Sequence, residues 1–223
     1  MDKVTLFIDD IKVETRRGEK ILWAALDNGI YIPNLCAVRE TMEPWASCRL
    51  CFVEVAGRND PVTACTEEAA EGMVVHTRSP KVNRLRRSSL ELLFSSHTID
   101  CKNCFKRKEC ELLKIAGYLK IKLNSLRFRN INRSQSLDES NPAFIYDPGK
   151  CVLCGRCVWV CREKKGVGAI NFAFRGFNTS ITTFSRKSQD NSDCISCAEC
   201  ITVCPVGALI PKANPEIVPS AKH

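Results

Sequence analysis

The sequence predicts an α+β chain of three small units, and three observations carry that prediction. Residues 3–13 alternate polar and apolar side chains like a pair of strands and lead into a short amphipathic helix. A second helix starts cleanly at Ser79-Pro80 and runs towards His97. Beyond residue 146 the spacing C-x2-C-x2-C-x3-C occurs twice.

Taken in order, Val4, Leu6 and Ile8 form one strand face, and Ile11 and Val13 the next after an Asp9-Asp10 turn. Arg17-Gly18 punctuates the connection. From Ile21 to Asn28 the pairs Ile21/Ala25 and Leu22/Leu26 have helical spacing, and Asn28-Gly29 ends the helix. Leu50–Val55 and Met73–Thr77 read as strands. Two strands, a helix, a cysteine-bearing loop and two more strands predict a small β-grasp domain over residues 1–78. Ser79 caps the next helix and Pro80 takes its first position. That helix runs through Val82, Leu85, Leu92 and Leu93, with Lys81, Arg84, Arg86 and Arg87 as a solvated or partner-facing stripe. It opens a small helical domain whose polar connector extends to residue 145 (79–145 in all). A ferredoxin-like unit follows over 146–212, with a strand pair around Ala169–Phe174 and Thr179–Phe184. The tail, 213–223, is expected to be poorly ordered.

A chain of 223 residues has room for such units, but each is too small to bury a large apolar core, so bound metal is expected to act as a structural staple too. No run of about 20 apolar residues predicts a membrane span. Met1-Asp2-Lys3-Val4-Thr5 lacks the basic and apolar regions of a secretory signal. Fifteen cysteines, an odd number, argue against a disulfide framework, and the expected compartment is the reducing cytoplasm.

Fifteen cysteines and His97 make sixteen ligands, enough for four four-ligand metal clusters. Cys36, Cys48, Cys51 and Cys65 follow C-x11-C-x2-C-x13-C, and four thiolates around one tight pair suit a 2Fe-2S cluster. A four-cysteine zinc site usually employs two C-x2-C pairs, and only one is present in this group. His97, Cys101, Cys104 and Cys110 follow H-x3-C-x2-C-x5-C. A lone histidine is more often a core or helix-end residue, but these three cysteines otherwise lack a fourth ligand and no spare cysteine remains. Histidine ligation leaves such a cluster less negative and easier to reduce. His76 and His223 have no comparable context.

Cys151, Cys154, Cys157 and Cys161 form the first C-x2-C-x2-C-x3-C run; Cys194, Cys197, Cys200 and Cys204 form the second, followed by Pro205. In two-cluster bacterial ferredoxins the fourth cysteine of each run serves the other cluster. Cys204 is therefore paired with Cys151, Cys154 and Cys157, and Cys161 with Cys194, Cys197 and Cys200, to give two 4Fe-4S clusters. Arg162 stands where that motif has proline after the first run.

The formal charge of +8 would point to nucleic acid if the cysteines were neutral. Ligated thiolates change that, because four such clusters carry roughly −7 and leave the loaded chain near about +1.

Together the motifs resemble a known family: the small iron–sulfur (diaphorase) subunit of NAD-reducing hydrogenases. They also resemble the N-terminal iron–sulfur region of multimeric iron-only hydrogenases and NAD-linked formate dehydrogenases, and the start of the complex I large iron–sulfur subunit. The resembling segments are Ile32–Cys36, Cys48–Val55, Arg86-Arg87 through Leu90–Leu93, Cys110–Leu112, Cys154–Cys157 and Gly166–Ile170. Ser47 and Glu109 stand where a glycine is usual. The chain ends nineteen residues after Cys204, so the catalytic domain of the longer members is expected to be absent.

No P-loop, triad or flavin motif is present. Gly166-Val167-Gly168 is two-thirds of a G-x-G-x-x-G, with Asn171 at the third position and no βαβ unit around it, which favours a tight turn. The resemblance implies a non-catalytic, hetero-oligomeric electron-transfer subunit. A flavoprotein that oxidises NAD(P)H would stand on one side, and a hydrogenase, formate dehydrogenase or ferredoxin-linked catalytic partner on the other. It also admits electron bifurcation. Two other readings stay open: a free-standing polyferredoxin-like carrier, and a zinc-bound structural or nucleic-acid-binding protein.

Overall fold

A computed structural model describes residues 2–123, 127–131, 136–183 and 194–212. The chain divides into two compact units: Met1–Leu93 with Ile115–Arg127, and Phe94–Lys114 with Phe128–His223. Phe184 and the 213–223 tail lie outside the described residues.

In the first unit, β1 (Lys3–Ile8) and β2 (Ile11–Arg16) pair antiparallel, with Ile8 opposite Ile11. Asp9 and Asp10 both take left-handed backbone (φ 47 and 66), the two-residue turn whose twist matches paired strands. Helix α1 (Ile21–Asp27) buries Ile21, Leu22, Ala24 and Ala25 and stops at Asn28-Gly29, as its spacing predicts. β3 (Phe52–Val55), β4 (Val62–Thr63) and β5 (Val74–His76) complete a mixed sheet of order β2-β1-β5-β3-β4. β1 and β5 run parallel at its centre, with Phe7 opposite Val74. The short β4 has no period to betray it in the sequence; its pairing of Thr63 with Phe52 brings Cys65 back towards Cys51. Val4, Leu6, Ile8, Val53 and Val75 meet the buried face of α1 in one apolar core.

Helix α2 (Pro80–Ser95) begins as expected, with the Val82 N–H donating to Ser79 Oγ at 3.1 Å. The basic stripe expected along it needs a correction. Lys81 reaches the Asn59 carbonyl and Asp60, and Arg84 and Arg87 are exposed, but Arg86 is fully buried. Arg86 lies four residues from both Val82 and Leu90, on the same buried face. Helix α3 (Glu111–Tyr118) follows the cysteine loop.

The second unit is built from short pieces. β6 (Phe144–Tyr146) pairs with β9 (Leu209–Pro211), and β7 (Ile170–Ala173) with β8 (Ser180–Thr183). Two short helices, α4 (Arg156–Trp159) and α5 (Glu199–Val203), each start inside a cysteine run. A π-helical turn, Val160–Lys164, carries Cys161, which is where the chain departs from the proline of the ferredoxin motif. Gly166 and Gly168 are both left-handed, and the Val167 and Gly168 N–H groups both donate to the Cys161 carbonyl. That segment is the expected tight turn. Among the described residues no helix is long and apolar enough to cross a membrane.

Candidate metal centres

Each predicted ligand lies among the described residues, and the chain brings them together in groups. In the first unit Cys36, Cys48, Cys51 and Cys65 are buried, with the Cys36 and Cys48 sulfurs 3.5 Å apart and the Cys51 and Cys65 side chains hydrogen-bonded. The loop before Cys51 turns through left-handed Ala46 and Arg49 (φ 44 and 54). Neither Ser47 nor Glu109 has a positive φ, so a side chain in place of the usual glycine meets no backbone strain at either position.

The thiols of this group share little negative charge unaided. Hydrogen bonding with Cys48 pulls Cys36 down to about 6, whereas Cys48 and Cys51 are pushed up, first by hydrogen bonds with their partners and then by burial. A metal core held by these four sulfurs would neutralise the thiolates and remove this conflict, at the cost of the thiol protons.

Among the described residues of the second unit, the predicted ligands line three separate cavities. His97, Cys101, Cys104 and Cys110 line one. Cys151, Cys154, Cys157 and Cys204 line another. Cys161, Cys194, Cys197 and Cys200 line a third. Among the described residues, no three His, Cys, Asp or Glu side chains converge closely enough to hold a single metal ion. The donor sets are soft sulfur with one imidazole, four to a cavity, the chemistry of an iron–sulfur core.

His97 is prepared as a neutral ligand. Its Nδ1 lies 3.0 Å from the Lys150 carbonyl oxygen, which can only accept, so Nδ1 carries the proton and Nε2 is free to bind metal. Burial lowers its pKa, which keeps the ring uncharged near neutrality. Close packing shapes this cavity: a β-carbon on Gly207 would lie 2.5 Å from Cys104 Sγ. Nothing in the cysteine spacing marks Gly207; the cue is its place three residues after the last cysteine.

The two cysteine runs repeat in backbone conformation as well as in spacing. Leu153 and Ser196 are left-handed at one equivalent position (φ 51 and 54), and Gly155 and Ala198 at the next (φ 78 and 58). Left-handed residues at these repeated positions turn the backbone sharply around each run. Burial pushes the Cys154, Cys157 and Cys200 thiols up, so the cavities favour thiolates only when metal is bound.

Tyr146 is a second residue that spacing does not reveal. Its oxygen accepts from the Ile181 N–H at 3.2 Å and the Ser180 hydroxyl at 3.4 Å, and its own proton is directed at Cys151. Burial, then the charge on Cys151, raises the phenol's pKa. The Leu153 N–H also donates to Cys151 Sγ, at 3.4 Å.

Three families match along the chain. The 2Fe-2S iron-sulfur cluster binding domain matches residues 1–80, the NADH-ubiquinone oxidoreductase-G iron-sulfur binding region residues 86–124, and the 4Fe-4S dicluster domain residues 150–208. Among curated proteins, a G subunit of NADH-quinone oxidoreductase from Rhizobium meliloti is 37% identical over 94% of this chain and 24% of its own length. The HndD subunit of NADP-reducing hydrogenase from Solidesulfovibrio fructosivorans is 33% identical over 94% of this chain and 36% of its own length. The chain thus spans about a quarter to a third of these relatives. Among solved structures, a chain of NAD+-reducing NiFe-hydrogenase in the H2-reduced state superposes with a TM-score of 0.84 at 32% identity, covering 97% of this chain and 90% of that one.

Proposed function

We propose that this chain, which belongs to the iron–sulfur family shared by the N-terminal regions of complex I G subunits and NADP-reducing hydrogenases and by NAD+-reducing NiFe-hydrogenase, is an electron relay. In this reading a β-grasp domain holds a 2Fe-2S cluster on Cys36, Cys48, Cys51 and Cys65. A small helical domain holds a 4Fe-4S cluster on His97, Cys101, Cys104 and Cys110. A ferredoxin-like domain holds two more 4Fe-4S clusters, one on Cys151, Cys154, Cys157 and Cys204, the other on Cys194, Cys197, Cys200 and Cys161. The observation that carries the reading is the exchange of fourth ligands, since Cys204 lines the cavity of the first run and Cys161 that of the second.

The clusters supply reversible one-electron chemistry when bound. The chain's part is to hold the thiolates, fix the His97 tautomer, exclude water and set the local field. The partners in this reading are an NAD(P)H-oxidising flavoprotein on one side and a hydrogenase, formate dehydrogenase or ferredoxin-linked catalytic subunit on the other, in a cytoplasmic hetero-oligomer. A partnered subunit is favoured over a free carrier by the hairpin β7–β8, which leaves Phe174 75% and Phe177 77% exposed.

Anaerobic native purification tests the proposal. It should yield a brown complex with about 14 irons per copy of this chain and a co-purifying flavoprotein. His97→Ala should lose the iron of one four-iron cluster and keep the two-iron electron spin resonance signal. A colourless zinc protein without sulfide overturns the reading, and a brown chain that purifies alone replaces the relay subunit with a free carrier.

A further inference from the structure

Arg86 has no solvent exposure, and neither have Val82 and Leu90 on either side of it along α2. A buried guanidinium normally meets a carboxylate, because removing an unpaired charge from water is costly. Here Nη1 donates to the Thr77 carbonyl at 2.8 Å and Nη2 to the Phe52 carbonyl at 2.6 Å, while Nε–H has no acceptor among the described residues. Among the described residues, the acidic groups near enough to act on its charge include, in order of effect, the Tyr118 phenol, Cys51, Asp9 and the Tyr31 phenol. Asp9 is already engaged by Thr77, whose N–H (2.7 Å) and hydroxyl both donate to its carboxylate. The two tyrosines pack edge to face, 4.8 Å between ring centres. Cys51 alone among these groups becomes a permanent thiolate on metal binding, and Phe52, which anchors the guanidinium, is the next residue in the chain.

We infer that Arg86 is the internal counter-charge of the centre held by Cys36, Cys48, Cys51 and Cys65, a fixed cation that eases the arrival of an electron there. The inference rests on the two-iron reading above. An arginine keeps its proton even in an apolar interior. A charge held there acts on its neighbours with little solvent screening, and the potential of an iron–sulfur cluster follows the net charge and hydrogen bonding around it. The chain tolerates this cation because the ligated thiolates supply the opposite sign. Arg86 is thus a positioning residue for the electron and does not ligate metal.

The test is a redox titration of the intact, loaded chain followed by the two-iron electron spin resonance signal, for wild type, Arg86→Gln and Arg86→Lys. Arg86→Gln should make the cluster harder to reduce by about tenfold in the electron equilibrium, about 59 mV for a one-electron couple. Arg86→Lys, which keeps the charge, should stay near wild type, and the four-iron signals should not move. Loss of the two-iron cluster in Arg86→Gln with retention in Arg86→Lys also supports the proposal. An unshifted potential in Arg86→Gln overturns it; so do equal shifts in both variants, or loss of the cluster in both, because hydrogen-bond geometry and not charge then governs the site. A wild-type chain without a two-iron signal overturns the cluster reading itself, a failure visible before any variant is made.

Discussion

Gly207 stands so close to Cys104 that a β-carbon built on it would lie 2.5 Å from the cysteine sulfur, with Lys106 Cβ and Phe105 Cε1 at 3.6 and 3.7 Å behind it. The sulfur therefore cannot keep its place beside any larger residue. Gly207→Ala should displace it, destabilise the second unit by about 1–3 kcal/mol, and lower the iron content by about four per chain. Iron and sulfide analysis with spin resonance checks this: the two-iron signal should be intact, and a full iron content would contradict the packing argument.

Tyr146→Phe should keep its cluster and alter its potential. The variant removes a hydrogen bond to Cys151 and leaves the Ile181 N–H without its acceptor. Losing the bond to a ligating sulfur lowers the potential, and the orphaned N–H lowers stability by about 1–3 kcal/mol. Redox titration and denaturant unfolding of the loaded chain read the two effects separately.

Asp27 provides a pH-dependent contact in the first unit. A hydrogen bond from Arg39 holds its carboxyl below the ordinary value of 3.8, against a smaller opposing effect of burial. A depressed carboxyl contributes stability that is present above the unfolded value and is lost as the pH falls through the lowered folded value. The Asp27 side chain is 48% exposed, so solvent screening reduces the contribution to about a few tenths of a kcal/mol. Asp27→Asn should therefore unfold at slightly lower denaturant than wild type by a constant margin between pH 8 and 5. A margin that shrinks within that range would show that another group is responsible.

Removing metal should affect the two units unequally. The first has an apolar core in which Leu6, Ile8, Leu22 and Val53 are fully buried. In the second, three cavities among the described residues are lined by predicted ligands. Chelation under reducing conditions should leave strand signal in circular dichroism and open the second unit to limited proteolysis. Equal protection of both units would mean that the second folds without its ligands engaged.

How much of this can be read in the chain depends on which signals are local. The β1–β2 hairpin, α1 and the Ser79 cap follow from period and turn chemistry, and each is legible in the sequence. The spacing within each cysteine run is also local, whereas Cys204 beside the first run and Cys161 beside the second join distant segments, and only the repeated motif points to them. β4, β6 and β9 are two or three residues long, too short to show a period, and β6 and β9 pair across more than 60 residues, with Phe144 opposite Pro211. Arg86 is misread from sequence because charge outweighs register: its spacing to Val82 and Leu90 marks the buried face, yet arginine ordinarily belongs outside. Tyr146 and Gly207 act through approach to a sulfur, and only folding makes that contact.

The parallel pairing of β1 with β5 also bears on how the chain is made. Cys36, Cys48, Cys51 and Cys65 all fall between these two neighbouring strands, so the first strand must wait for residues 74–76 before the centre of its sheet can close. At a synthesis rate of about 5–20 residues per second that wait is roughly 3–14 s. During it the β1–β2 hairpin, only marginally stable by itself in water, has α1 to pack against but no partner along the other edge of β1. Completion of the sheet and assembly of the four thiols are then coupled, since both require β5. In the proposed reading, the earliest point at which the four-cysteine centre is complete is set by the emergence of a three-residue strand that carries no ligand.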